Sequence, residues 1–351
     1  MTVARFMEIA LYHPEFGYYA TGPPRTGWRG HFLTSAEIDG AFGELWACGF
    51  EEIWQSCGRP GRFEIVEIGP GEGGFAAAVL TAASGDFGRA LTYRLVEPRG
   101  ALRARQSARL EDVAAVSWST TIDHVPYIDW GCVFANEVLD NLPVRLVERG
   151  EAGVQEVVVV VDGGELRTRA VAAAPDLVDW LVRTGVHLPP GGRAEIPTGA
   201  DALVAAAAAR LRTGALVVCD YGLTAGEASS RAIGTLACYS DRGVDDDFLA
   251  DPGTKDITSH VNWTAVAHAL DGQHLEVTDV LPQRTVLKRL GIDALHDELR
   301  ERARAGGVGA LRALSRRQAL GILADPGGLG ALGVIAGVRG VPVPGFLRGS
   351  P

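Results

Sequence analysis

At 351 residues the chain is long enough for one large α/β domain with additions or for two modest domains, and one sheet with substantial insertions is expected. Hydrophobic residues make up 47%, yet the longest apolar runs, Val157 to Val161 and Ala202 to Ala209, fall far short of a membrane span. Forty-three acidic against 33 basic residues give a formal net charge of -10, which opposes a nucleic-acid backbone and favours plain solubility.

The five cysteines, Cys48, Cys57, Cys132, Cys219 and Cys238, show no C-x-x-C or comparable metal-ligand spacing. Their odd number, and the three that interrupt apolar strand-like runs, predict free, mostly buried thiols in a reducing compartment. Met1 to Tyr12 lacks a cationic stretch followed by a long apolar one, so a cytoplasmic location is expected. No metal site is expected.

The first sixty residues hold an aromatic turn, His13 to Tyr19, then Gly30 to Ser35, then an apolar-periodic helix around Phe42 to Trp54, and are expected to form a cap of residues 1–60. From Phe63 strands and helices alternate: strand Phe63 to Ile68, helix Gly74 to Ala83, strand Thr92 to Glu97, helix Gly100 to Leu110, strand Gly131 to Ala135. Such alternation predicts a doubly wound, mainly parallel α/β sheet over residues 61–351. Two β-rich runs, Glu156 to Asp162 and Leu166 to Ala173, flank Gly163-Gly164 and predict a hairpin inserted at about 144–200. A helix from about Ala200 to Leu211 leads back to a buried strand, Ala215 to Cys219, ending at Asp220-Tyr221-Gly222. Val261 to Leu270, Arg284 to Leu290 and Ile292 to Leu323 are expected to be mainly helical, and Gly333 to Val338 a last strand.

Glu67-Ile68-Gly69-Pro70-Gly71-Glu72-Gly73-Gly74 stands where a strand gives way to a helix, a place where tight turns let a ligand approach the backbone. Gly69, Gly71 and Gly74 also satisfy the dinucleotide pattern G-x-G-x-x-G. A pyrophosphate there would meet Glu67 and Glu72, and Pro70 offers it no N–H donor. S-adenosylmethionine carries a sulfonium and an ammonium and no phosphate, so an acidic loop favours it over a nicotinamide or flavin. Glu67, Gly69, Pro70, Gly71 and Gly73 are the candidate cofactor contacts of this loop. Glu97, ending the second strand, is the candidate acceptor for two ribose hydroxyls.

The strand from Gly131 ends in Asn136-Glu137-Val138-Leu139-Asp140-Asn141-Leu142-Pro143, crowding polar groups at the carboxyl edge where open α/β sheets bind ligands. If a turn of helix starts there, Glu137 and Asp140 share a face and direct two carboxylates at one cation. The alternative is capping by Asn136 or Asp140 before a turn at Pro143. Asp220 and the stretch Asp256-Ile257-Thr258-Ser259-His260 add further polar groups, while His13 and His31 are expected to be hydrogen-bonded structural histidines. Phosphate-loop, zincin and serine-hydrolase motifs are absent from the sequence.

Taken together and in order, several segments resemble the MidA-like methyltransferases, a family whose mitochondrial member is a complex I assembly factor that methylates arginine. They are Leu11 to Tyr19, Gly30 to Ile38 leading to Phe42-Gly43-Glu44, Glu67 to Gly73, Asn136 to Val144, Asp220 to Gly222 and Asp256 to Val261. The family usually has Asp where His31 stands, Pro where Ala36 stands, a helix before Met7 to Tyr12, and a tail richer in Met, Phe and Lys than Leu329 to Ala336. The resemblance implies a Rossmann-like class I methyltransferase that uses S-adenosylmethionine and modifies arginine on a partner protein. Thr34 and Asn136 then join the cofactor contacts, Glu137 and Asp140 become the catalytic carboxylates, and Asp256 stands in reserve. An assembly factor that keeps the cofactor pocket without turnover is the competing expectation, and a nicotinamide oxidoreductase the third.

Overall fold

Six consecutive buried residues, Phe63–Ile68, form β1, and its neighbours on both sides run parallel to it. The computed structural model describes residues 1–20, 34–111, 113 and 115–349. Contacts divide the chain into two units: Leu33–Val138 with Val204–Asp220 and Leu270–Pro351, and Met1–Phe32 with Leu139–Leu203 and Tyr221–Ala269. The first sixty residues are thus shared between the units, whereas residues 144–200 lie in one of them.

The larger unit holds the main sheet. β1 pairs with β2 (Leu91–Val96) on one side and with β4 (Gly131–Asn136) on the other, and β3 (Val116–Ser119) extends the sheet beyond β2. Beyond β4 lies Gly214–Asp220, parallel, then Gly333–Arg339, antiparallel, which also pairs with the short strands Glu276–Val277 and Leu281–Pro282. The connection after β1 runs to β2 on one side, whereas β4, on the other side of β1, is followed in the sheet by Gly214–Asp220 beyond it, which makes the gap beyond the carboxyl ends of β1 and β4 the switch point where such sheets bind ligands. Register places Ile68 opposite both Val96 and Ala135, so the ends of β1, β2 and β4 are level.

Aromatic packing holds this sheet against its helices. The helix Ala41–Ser56 buries Phe42, Leu45, Trp46, Phe50 and Ile53 at helical spacing, and the helix Gly74–Ala82 buries Phe75, Ala76 and Val79. Their rings meet the Phe134 ring of β4, with centroids at 4.6 Å for Trp46 and 4.9 Å for Phe75. Gly43 lets the two helices touch, because an added Cβ would lie 2.6 Å from that of Ala78. The helical run expected from Ile292 to Leu323 is two helices, Ile292–Arg304 and Val308–Leu323, broken where Gly306 and Gly307 take φ of 78° and 77°.

In the other unit the expected hairpin is part of a four-stranded antiparallel sheet, in the order Glu165–Ala172, Gly153–Asp162, Arg145–Gly150, Arg193–Ile196. Gly163 and Gly164 turn it with φ of 60° and 86°, the left-handed pair a two-residue turn requires. The helix Val3–Tyr12 buries Val3, Phe6, Met7, Ala10 and Leu11 in one cluster with Val144, Leu146, Val157 and Val159 from this sheet and Ile257 from the strand Asp256–Thr258. The N-terminal helix is therefore integral to the core of the inserted region. Among the described residues no helix is long and apolar enough to cross a membrane.

Candidate functional site

The glycine loop follows β1 as the sequence predicts. Gly69, Gly71 and Gly73 have φ of 67°, 51° and 77°, a region in which a side chain is strained, and Gly73 directly precedes the helix Gly74–Ala82. A Cβ at Gly69 would lie 2.7 Å from Val138 Cγ2, whereas one at Gly71 would meet nothing closer than Glu37 Oε1 at 3.9 Å. The loop is pinned from beneath: Gln106 Nε2 donates to the Gly71 carbonyl at 2.7 Å, and Trp118 Nε1 donates to Gln106 Oε1 at 3.0 Å.

Charge around the loop differs from the sequence expectation. Glu67 is 5% exposed and accepts from the Tyr93 hydroxyl at 2.7 Å, while burial pushes its carboxyl up to about 7. Glu72 pairs with Arg105 at 2.9 Å. One acid is thus largely buried and the other neutralised by an arginine of the helix Gly100–Arg109, so Glu67 and Glu72 would repel a pyrophosphate less than the sequence predicts. Four letters of sequence around a glycine loop do not reveal which helix faces it.

Glu97 ends β2 and is fully buried. Its Oε1 accepts from the Arg99 backbone N–H and Nε at 2.9 and 2.8 Å, and its Oε2 from Arg99 Nη2 at 3.2 Å. With only one donor on Oε2, that oxygen retains capacity for another hydrogen bond.

At the end of β4, Asn136 keeps Oδ1 buried and without a partner while its Nδ2 donates to Glu137 Oε1 at 3.0 Å. Glu137 has φ of 50°, an uncommon backbone for a residue with a side chain, and the conformation turns the chain out of the sheet. Its N–H donates to the Cys219 carbonyl at 2.8 Å, and its Oε1 receives the Ser35 N–H at 2.7 Å. Burial pushes the half-buried carboxyl up to about 7, with Asp220 adding to the rise and Ser35 and Asn136 opposing it. Thr34 precedes the short helix Ser35–Ile38, but its side chain makes no capping bond.

The helical turn that would have put Glu137 and Asp140 on one face does not form: the chain runs through bends and a turn from Glu137 to Leu142. The left-handed φ of Glu137 rules out a helix there. Asp140 falls in the other unit, 8% exposed, with its carbonyl accepting from the Ser259 N–H at 2.8 Å. In that unit Asp256 is fully buried, and its Oδ1 accepts from the Tyr19 hydroxyl at 2.9 Å and from Asn141 Nδ2 at 3.1 Å. Burial pushes the Asp256 carboxyl up to about 7, against the pull of those donors. Tyr19 stacks on Tyr12 with centroids at 5.5 Å, so the aromatic turn and the Asp256 motif, far apart in sequence, converge.

His13 is structural as expected, its Nδ1 accepting from the Glu15 and Phe16 N–H groups at 3.2 Å each. His31 and the stretch Gly30 to Leu33 lie outside the described residues. Cys132, Cys219 and Cys238 are buried, and all five cysteines are free. Sequence reasoning missed Tyr93, Arg99, Gln106, Trp118 and Gln283. Tyr93, Gln106, Trp118 and Gln283 are isolated residues on helices or strands whose partners depend on tertiary packing, and Arg99, in the loop after β2, reaches back two residues to Glu97.

The family model described as S-adenosyl-L-methionine-dependent methyltransferase matches residues 46–281. The chain is 28% identical over 324 residues to the Mus musculus protein arginine methyltransferase NDUFAF7, mitochondrial, covering 84% of this chain and 71% of that protein. The Homo sapiens protein of the same name is 26% identical, with coverage of 84% and 70%. A Burkholderia thailandensis protein whose crystal structure has S-adenosyl-homocysteine bound is similar at 30% identity and a TM-score of 0.86, covering 97% of this chain and 88% of that chain. The chain therefore belongs to the S-adenosyl-L-methionine-dependent methyltransferase family, as its MidA-like motifs led us to expect.

Proposed function

We propose that the chain transfers the methyl group of S-adenosylmethionine to an arginine side chain of a partner protein, in the cytoplasm. The observation that carries this reading is Glu137: a carboxylate at the carboxyl end of β4, on a left-handed backbone, with one oxygen fixed by Ser35 and Asn136. A guanidinium stays charged at any physiological pH, so a site that receives it needs an oriented carboxylate to offset its desolvation. The names of the relatives support the choice of arginine.

The sheet-unit residues fit the cofactor. Glu97 would take a ribose hydroxyl with the capacity left on Oε2, and the open space at Gly71 allows close approach to the loop Gly69, Pro70, Gly71 and Gly73. The unpartnered Asn136 Oδ1 is an acceptor suited to an ammonium, with Thr34 and Glu67 as the remaining contacts. Bound there, the cofactor supplies an electrophilic methyl on a sulfonium. The chain's own task is alignment and exclusion of water, which can lower the barrier by about 7–11 kcal/mol. Glu137 holds the acceptor nitrogen by a charge-assisted hydrogen bond and takes up the proton that the nitrogen sheds as it is alkylated. Approach of a cation lowers the Glu137 pKa and favours the charged form that is needed. Asp140 is kept as the second acceptor carboxylate and Asp256 as the reserve, to be tested by substitution.

The test is transfer of label from methyl-tritiated S-adenosylmethionine to partner proteins and to an arginine-rich peptide, followed by amino-acid analysis. Label on methylarginine supports the proposal. Label on lysine or on a small molecule overturns the arginine assignment, and absence of any incorporation by a chain that binds the cofactor favours an assembly role without turnover.

A further inference from the structure

Gln283 is fully buried near the start of the helix Gln283–Arg289, and its amide is saturated by four neighbours. Nε2 donates to the carbonyls of Leu323 at 3.2 Å and Leu329 at 3.0 Å, and lies 3.1 Å from Ser35 Oγ. Oε1 accepts from Cys219 Sγ at 3.1 Å and lies 3.2 Å from the same serine hydroxyl. One side chain thus ties the segment after Leu270, the end of the strand Gly214–Asp220 and the helix Ser35–Ile38 together.

That helix is short and its start is not secured locally, since Thr34 makes no capping bond. The free N–H groups of a first turn need partners. Here the Ser35 N–H goes to Glu137 Oε1 and the Ser35 hydroxyl to Gln283. Ser35 is thus held by its hydroxyl to Gln283 and by its N–H to Glu137.

We propose that Gln283 is a positioning residue for methyl transfer: through Ser35 it fixes the backbone N–H that orients the Glu137 carboxylate. This rests on the assignment of Glu137 to the acceptor side made above. The groups around Glu137 are Asp220 and Cys219 at the end of the neighbouring strand, with Ser35 and Asn136 as donors. Ser35 and Asn136 favour the carboxylate and Asp220 opposes it, so loosening Ser35 leaves the repulsion and removes part of the support. The Glu137 pKa then rises, while a residue that merely filled space would leave it unchanged.

The experiment reads Glu137 directly, by carbon-13 NMR of protein labelled at glutamate carboxyls, with the resonance identified by its loss in Glu137→Gln. Gln283→Met keeps volume and removes every hydrogen bond of the amide. Ser35→Ala removes only the hydroxyl that Gln283 holds, and serves if Gln283→Met does not fold. Both variants are expected to raise the Glu137 pKa by roughly half a unit or more. They should also move the acidic limb of methyl transfer to the arginine-rich peptide upward in parallel, with S-adenosylhomocysteine affinity unchanged. A folded Gln283→Met or Ser35→Ala with the wild-type Glu137 titration overturns the inference. A shifted titration with an unchanged activity profile leaves Gln283 as the residue that positions Glu137 but removes Glu137 from the acceptor side, which overturns the catalytic part of both proposals.

Discussion

Two buried acids, one in each unit, share almost the same local chemistry and point to different uses. Glu137 and Asp256 each have one carboxylate oxygen accepting two donors, and burial pushes both to about 7. Asp256, however, sits in a strand with ordinary backbone and is sealed to 0% exposure by Tyr19 and Asn141, side chains that fasten the N-terminal segment to the inserted region. Glu137 is only half-buried and lies on a left-handed backbone. A raised pKa thus marks burial in both cases, and it is residual exposure together with position at the switch point that makes Glu137 the stronger functional candidate.

The largest expected effect breaks the pair apart. Glu137→Gln keeps shape and removes charge, and should lower methyl transfer by about 10²–10⁴-fold while S-adenosylhomocysteine affinity stays within a few-fold by calorimetry. Asp256→Asn, measured beside it, should keep transfer near the wild-type rate, because an amide oxygen can still accept from Tyr19. Equal losses from both substitutions in folded protein would make Asp256 a second functional acid and erase the distinction.

Next in size is Glu97→Ala, which removes a buried carboxylate at the switch point. One charge-assisted hydrogen bond to a ribose hydroxyl predicts a loss of about 1.5–3 kcal/mol, on the order of 10- to 10²-fold, in S-adenosylhomocysteine affinity. Unchanged affinity in the folded variant would leave Glu97 as the partner of Arg99 and nothing more. For the other region, Asp256→Ala leaves the Tyr19 hydroxyl and the Asn141 amide without their acceptor and should cost about 2–3 kcal/mol of stability in urea unfolding.

The alternating sheet was legible because buried parallel strands are short, apolar and bounded by turn residues: Phe63–Ile68 and Gly214–Asp220 fall within two residues of expectation. The glycine loop was legible for the same reason, since three left-handed positions leave few residue types to choose from. What was not legible is whatever depends on a partner distant in sequence. Pairing of Glu72 with Arg105 neutralised one of the two acids of the loop, and the left-handed turn at Glu137 removed the helical face it was to share with Asp140. Nothing local marked Gln283, whose importance arises from three segments that only the fold brings together.

Titration provides a smaller effect that the two acids should share. Glu137 and Asp256 have ordinary values of 4.5 and 3.8, and in the folded chain both lie near 7. Between those limits the folded chain holds protons that the unfolded chain has released, so each group favours folding fully below its ordinary value and loses that contribution as pH rises through about 7. Urea unfolding from pH 4 to 8 should therefore show stability falling with pH, less steeply in Glu137→Gln and in Asp256→Asn. A wild-type slope in either variant would mean that the substituted group does not titrate there. For methyl transfer the sign is opposite, since the charged Glu137 is the working form, and activity should rise as pH rises through about 7.

Glycines extend the comparison to the backbone at the smallest scale. Gly71, in the loop, and Gly253, in the inserted region, both have left-handed φ, 51° and 85°. A Cβ at Gly253 would lie 2.2 Å from the Phe16 carbonyl oxygen, so Gly253→Ala must move the aromatic turn as well as strain the backbone. At Gly71 the nearest neighbour of an added Cβ is the end of the flexible Glu37 side chain at 3.9 Å, which leaves the backbone cost alone, about 1–2 kcal/mol. Gly71→Ala should therefore lower the unfolding free energy by that amount and less than Gly253→Ala does. Because the added methyl projects into the space proposed for the cofactor, its effect on S-adenosylhomocysteine affinity should exceed its effect on stability, whereas Gly253→Ala should show the reverse order. If Gly71→Ala binds the nucleoside as wild type does, the open space beside the loop is not where the ligand lies, and the cofactor contacts assigned to Gly69, Pro70, Gly71 and Gly73 fail with it.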